Sequence, residues 1–364
     1  MTEKSPEEHI LTAPVETTAI PRVRRLADNQ PTGFFGKLKH ELQFVRGRGA
    51  FEISLVLIIL LAGYITAAIV DPSNFAFLNP NNLSGVISQA IPVLAILGLA
   101  AGILMIAGEF DLSLGFALTF NAIIFLRAVE MFGWAAGIAA GILSGIFVAL
   151  VNGLIVVVSK IPSFIATLGM SFFWGGASIF INGTKPAMLN PGEDRDMLES
   201  LFTQDFGTFR AQLVWLIIIG VGAWFFMHRH RLGNHIFAVG GNANAAKAIS
   251  INPNRVKLMA FGIFGALVGF ASILIAVRTS SIQPGGTATE SFTLFAIAAA
   301  VVGGTSLNGG RGSVIGIVVG ASLIELIRNG LLLAKAPGFY ITLFVGVTIV
   351  IAAIFNKLME GKAS

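Results

Sequence analysis

The chain has 364 residues, 55% hydrophobic and 12% charged, with a mean hydropathy of +0.81 and a formal net charge of +5. Soluble domains carry roughly 25% charged residues, so this composition excludes an ordinary soluble protein and points to a polytopic membrane protein. No cysteine is present, which removes disulfides, thiol catalysis and thiolate metal sites.

Residues 1–30 are polar, proline-bearing and aperiodic, and are expected to form a disordered cytoplasmic tail without a secretory signal. Residues 31–50 read as an amphipathic helix on the inner leaflet: Phe34, Phe35, Leu38, Leu42 and Val45 share one face, and Lys37, Lys39, Arg46 and Arg48 stay polar. A membrane domain, 51–357, follows, with a short cytoplasmic tail at 358–364. Ten apolar stretches are expected as spans, at 51–70, 86–107, 113–129, 133–158, 163–181, 212–228, 256–277, 291–302, 312–333 and 338–356. The segment from Arg22 to Arg48 has seven Lys or Arg, and the loop within 229–256, extended to Lys257, has five and no acid. Both are therefore placed in the cytoplasm, and with ten spans both termini are too. The loop after the fifth span, with five acids against three bases, is placed outside.

The chain repeats itself once. KIPSFIATL from Lys160 and KAPGFYITL from Lys335 share K-x-P-x-F-x-x-T-L, each after an Asn-Gly-Leu at Asn152 and Asn329. An offset of five spans reverses orientation, which is the signature of an inverted repeat with a pathway between two halves.

GEFDLSLG, 108–115, places Glu109 and Asp111 between two apolar runs, where a carboxylate costs roughly 2.5 to 3.5 kcal/mol on insertion scales. Asp111 and Ser113 are good cap residues for a helix starting near Leu114, and Gly108 lets the chain bend. Such a break is tolerated only where it is buried in protein or lines water, so Glu109, Asp111, Ser113 and Asn152 are candidates for shaping a pathway. GGTSLNGGRG, 303–312, has phosphate-loop spacing but carries Gly310 where Lys is required, and no strand precedes it. It reads as a second break, adding Gly303, Gly304, Thr305 and Ser306 to the candidates. In the cytoplasmic loop, Asn242 can cap a short helix over ANAAKAIS that ends before Pro253. His228, His230 and His235 lack an acidic or thiolate companion and read as a basic flank rather than a metal site, while Glu325 and Arg328 are spaced for an ion pair.

These segments carry a family resemblance. GEFDLSLG, VNGLIVVVSKIPSFIATLG, AVGGNANAAKAISINPNRVK and AIAAAVVGGTSLNGGRGSVIG, in this order, resemble the ribose-type permease subunits of ATP-binding-cassette (ABC) importers. The resemblance implies an all-α permease of about ten membrane helices with the architecture of vitamin B12 importers, in the bacterial inner membrane. It implies a homodimer working with an ABC ATPase subunit and a periplasmic solute-binding protein. The chain is then a transport subunit and not an enzyme: it binds no cofactor or metal, ATP and Mg belong to the partner ATPase, and membrane lipid rather than nucleic acid surrounds it. The helix around Asn242, Ala245, Ala246, Lys247, Ile249 and Ile251 corresponds to the coupling helix that docks on the ATPase. A monosaccharide or related polyol is the cargo implied; nucleosides or a signalling sugar are alternatives within the family. The departures are Glu109 where relatives often have Gly, FTLF at 292–295 in place of ELD, and Ser250 where relatives commonly have Gly. An ion-coupled secondary transporter and a passive channel are the competing classes, and neither needs a coupling helix.

Overall fold

Pro92 has no N–H to offer the carbonyl one turn earlier, and the helix that contains it responds with a π turn at Val86–Ala90. That helix, α2 (Pro80–Ile106), is apolar on every side and sits at the centre of the protein, with 89% of its apolar window buried. By contrast α1 (Ala50–Val70) is 6% buried and peripheral. The computed structural model describes residues 50–354 except 288, 341, 342, 345, 349, 352 and 353. The expectations for 1–30, for 31–49 and for 358–364 lie outside the described residues.

The remaining helices are α3 (Leu114–Phe132), α4 (Trp134–Ser159), α5 (Ser163–Asn182), α6 (Glu193–Phe202), α7 (Ala211–Arg229), α8 (Arg231–Gly241), α9 (Ala243–Ala248), α10 (Pro253–Thr279), α11 (Ser291–Val302) and α12 (Val314–Leu333). Among the described residues, eight helices are long and apolar enough to cross a membrane. α11, expected as a span, has 12 residues, about 18 Å at 1.5 Å per residue, and spans only part of a core ~30 Å thick. Of the tenth expected stretch, 338–340, 343–344, 346–348, 350, 351 and 354 are helical. The pairing of α4 with α10 rests on glycines: a methyl on Gly145 would meet the Gly265 carbonyl oxygen and the Gly269 Cα, so the two backbones touch directly.

The acidic loop after α5, expected on the outside, contains structure. α6 starts with Glu193, Asp194 and Asp196 in its first turn, where acids suit the helix dipole. It ends on Phe202, which stacks on Trp215 at 5.7 Å and meets Phe270 edge-on at 5.9 Å. Two short antiparallel ladders complete this face: β1 (Ala187–Met188) with β4 (Ser281–Ile282), and β2 (Asp205–Phe206) with β3 (Phe209–Arg210).

The internal repeat has a backbone counterpart. Lys160 and Lys335, the first residues of the two motifs, both adopt the left-handed conformation, with φ of 57° and 55°. The preceding Asn-Gly pairs also match. Asn152 and Asn329 are buried and hydrogen-bonded to other elements, while Gly153 and Gly330 receive the rings of Phe261 and Tyr64.

Candidate translocation and coupling site

Both breaks are built from one local geometry. α2 ends at Ile106; Gly108 takes φ +84°, its N–H donates to the Met105 carbonyl at 2.9 Å, and the Glu109 N–H reaches Leu104 at 3.1 Å. α11 ends at Val302; Gly304 takes φ +84°, and the Gly304 and Thr305 N–H groups reach Val301 and Ala300 at 3.0 and 2.9 Å. This paired pattern is the Schellman closure, which satisfies helix-end carbonyls and turns the chain through a left-handed residue.

Polar groups of the first break are satisfied by its neighbours. The Phe110 and Leu112 N–H groups donate to the Ser163 and Thr167 hydroxyls at 3.0 and 2.9 Å. These two residues lie within KIPSFIATL, so the motif's hydroxyls complete the break. Asp111, 4% exposed, accepts from the Ser113 N–H at 2.7 Å and its hydroxyl at 2.6 Å through one oxygen. Its other oxygen accepts from Asn152 Nδ2 at 2.8 Å. Asn152 also donates to Ser113 Oγ at 2.8 Å and accepts from Trp174 Nε1 at 3.1 Å. The network thus runs one way, from indole to amide to carboxylate.

α3 does begin at Leu114 with Ser113 in the cap position, but the capping mechanism differs from expectation. The Ser113 side chain makes no cap bond to the helix; it is engaged with Asp111. Thr293 Oγ1 from α11 receives the Gly115 N–H instead, at 2.9 Å, and Thr289 Oγ1 bonds the Gly115 carbonyl and Thr119 at 2.6 Å each. Thr293 lies in FTLF, the segment that departs from the family pattern.

Glu109 is not free. Its Oε1 lies 2.5 Å from Lys257 Nζ, with side-chain exposures of 8% and 27%. The two breaks also meet: the Gly310 N–H donates to the Ile106 carbonyl at 2.9 Å. Gly303 lies against the backbone of Gly316, Ser306 is buried and bonds Asn308, and the Thr305 hydroxyl is fully buried with no hydrogen-bond partner. All eight pathway candidates therefore lie on the two breaks or bond to them, and of their side chains only the Thr305 hydroxyl lacks a partner.

In the loop, Asn242 caps α9 through the Ala245 N–H at 2.9 Å, as its position implied. Ala245, Lys247 and Ile249 are exposed, Ile249 at 70%, and Ile251 packs partly against the core. Ala246 is a correction: it is 2% exposed and faces the protein interior. On a helix with one face against α10, an alanine one turn from its cap points inward, so it cannot itself meet a partner. Ser250, where relatives commonly carry Gly, takes φ +66° and closes the same 6→1 pattern, Ile251 N–H to the Ala246 carbonyl at 3.0 Å. Among the described residues no cluster of metal-ligating side chains occurs; His230 caps α8 and stacks on Phe226. Arg328 and Glu325 pair at 3.1 Å, as their spacing implied.

Sequence reasoning missed Ser163, Thr167, Trp174, Lys257 and Thr293. The signal for two of them was present: Ser163 and Thr167 are four apart, on one face of an otherwise apolar helix.

A family model described as "Branched-chain amino acid transport system / permease component" matches residues 82–353. Among curated proteins, the chain is 32% identical over 308 residues to "Ribose import permease protein RbsC" of Escherichia coli (strain K12), covering 82% of this chain and 92% of that protein. It is 28% identical to "D-allose transport system permease protein AlsC" of the same organism, over 78% and 86% of the two chains. It is 27% identical to "L-arabinose ABC transporter permease protein AraH" of Azospirillum brasilense, over 84% and 88%. No solved structure matches the chain. With the family model covering most of the chain and a relative above 30% identity matched along nearly its whole length, the chain belongs to this family of membrane transport-system permease components.

Proposed function

We propose that the chain is the membrane subunit of an ATP-driven importer for a monosaccharide or related polyol, working as a homodimer with an ATPase subunit and an external binding protein. The observation that carries this reading is the match to import permeases along most of the chain, beside a basic loop outside the spans whose capped helix leaves Ala245, Lys247 and Ile249 exposed. The glycine-framed breaks beside that loop give the coupling motion somewhere to act. The names of the relatives, for ribose, allose and arabinose, supply the cargo class. Both termini and the 229–256 loop lie in the cytoplasm on this reading. Ion coupling is disfavoured, because Glu109 and Glu325 are ion-paired and Asp111 is saturated by hydrogen bonds.

The test is copurification of the chain with an ATPase expressed from the same genome, together with uptake of labelled ribose, allose and arabinose. Ile249→Asp is expected to abolish copurification and uptake at normal membrane level. Full uptake by that variant, or uptake that persists after ATP depletion, overturns the reading.

A further inference from the structure

The cytoplasmic loop runs from the end of α7 through α8 and α9 and re-enters the membrane domain on α10. It touches the first break twice, at the end of α8 and again on α10. At the first contact, Gly240 is wedged into backbone: a methyl there would meet the Ile106 carbonyl oxygen and lie 2.7 Å from the Gly310 nitrogen. Gly309 in turn lies against the Gly240 carbonyl and Gly108. No side chain of any size fits between these three segments. On the re-entering side, Lys257 reaches from α10 to Glu109, the residue next to Gly108.

From this we infer that Lys257 is a positioning residue for transport: its ion pair with Glu109, beside the backbone junction of Gly108, Gly240 and Gly310, ties the ATPase-facing loop to both helix breaks. This rests on the proposed coupling role of the loop. Either anchor alone leaves the loop free to pivot about one point; two anchors on consecutive residues of the break make loop and break move together. The Gly310 bond to Ile106 carries the displacement on to the second break. The pair is well placed for this, because its carboxylate is almost completely withdrawn from solvent and such a pair is screened less than a surface one.

The absence of cysteine permits a direct test that needs no cargo. Leu307, in the second break, is 46% exposed. In Leu307→Cys chains assembled with their ATPase, maleimide labelling is compared between nucleotide-free and ATP–vanadate-trapped complex. The labelling rate is expected to change about fivefold or more on trapping. Lys257→Gln and Glu109→Gln are each expected to abolish that change while the complex still assembles. Lys257→Arg, and the exchange of Glu109→Lys with Lys257→Glu, are expected to restore it. A merely structural role would lower the yield of complex without separating these variants. A rate that does not respond in the unaltered pair, a response that survives Lys257→Gln, or an exchange no better than the single variants overturns the inference. Failure of the unaltered chain to capture the ATPase removes the coupling reading itself, and this inference with it.

Discussion

Exchanging Asp111 for Asn is the sharpest test of the first break, because size is kept and only hydrogen-bond polarity changes. In the structure the Asp111 oxygen facing Asn152 accepts a proton at 2.8 Å, and Asn152 cannot turn its amide over, because its oxygen already accepts from Trp174. Asp111→Asn therefore sets one N–H against another. It loses a hydrogen bond to a charged group, worth roughly 1.5 to 3 kcal/mol, and leaves a buried donor unsatisfied, at roughly 1 to 3 kcal/mol; the relief from burying one charge fewer offsets part of this. Asn152→Asp alone places a second carboxylate against the first, which is costly for a different reason. The double variant Asp111→Asn with Asn152→Asp restores donor facing acceptor along the whole line from Trp174, with one charge still buried. A double-mutant cycle is thus expected to show a favourable coupling of about 3 kcal/mol, well beyond the ~0.5 kcal/mol scatter of independent sites. The assay is thermal unfolding of the four purified proteins in detergent, with membrane yield measured alongside. Additive effects, or Asp111→Asn unfolding with the unaltered chain, would refute the one-way network.

Three further outcomes follow from the geometry. Ser250→Gly is expected to stabilise the loop by about 1 kcal/mol, because φ +66° strains a side-chain-bearing residue, while Ser250→Val is expected to destabilise; equal melting of the two would contradict the assignment. Gly330→Ala drives a methyl into the Tyr64 ring and is expected to cost roughly 1 to 3 kcal/mol, a cost that largely disappears when it is measured in a Tyr64→Ala background; a neutral Gly330→Ala would mean that α1 is not packed there. Impermeant maleimide is expected to label Asp196→Cys on intact spheroplasts and Asn244→Cys only after permeabilisation, and the reverse pattern would invert the topology.

The spans were legible because a hydrophobic run announces itself whatever it packs against: the observed bounds of α1, α4, α5, α7 and α10 lie within a few residues of those expected. α11 lies at the expected 291–302, a stretch already short for a span, because the glycine-rich 303–312 ends the apolar run. The candidate region was legible through Asp111, a carboxylate rare in lipid, and through Gly108 and Gly304, which stand where apolar runs end. The partners were not, because Lys257, Trp174 and Thr293 are unremarkable locally and acquire a role only when residues 22 to 178 apart in sequence come together. Ala246 failed for the related reason that a six-residue helix carries too little pattern to show which face is inward.

The face that carries β1 and β4 has its own bearing on how such a protein moves. Residues 184–189 and 280–285 are stitched by β1 and β4, by the Leu189 N–H on Ser280 at 2.9 Å and by the Gln283 amide on Thr184 at 3.2 Å; the Gly285 N–H adds a bond to the Ser178 hydroxyl at 2.8 Å. Separating these two segments forfeits several bonds at about 1 kcal/mol each, whereas carrying them as one lid forfeits none. Any movement on this face therefore carries the two segments as one body and does not part along the seam.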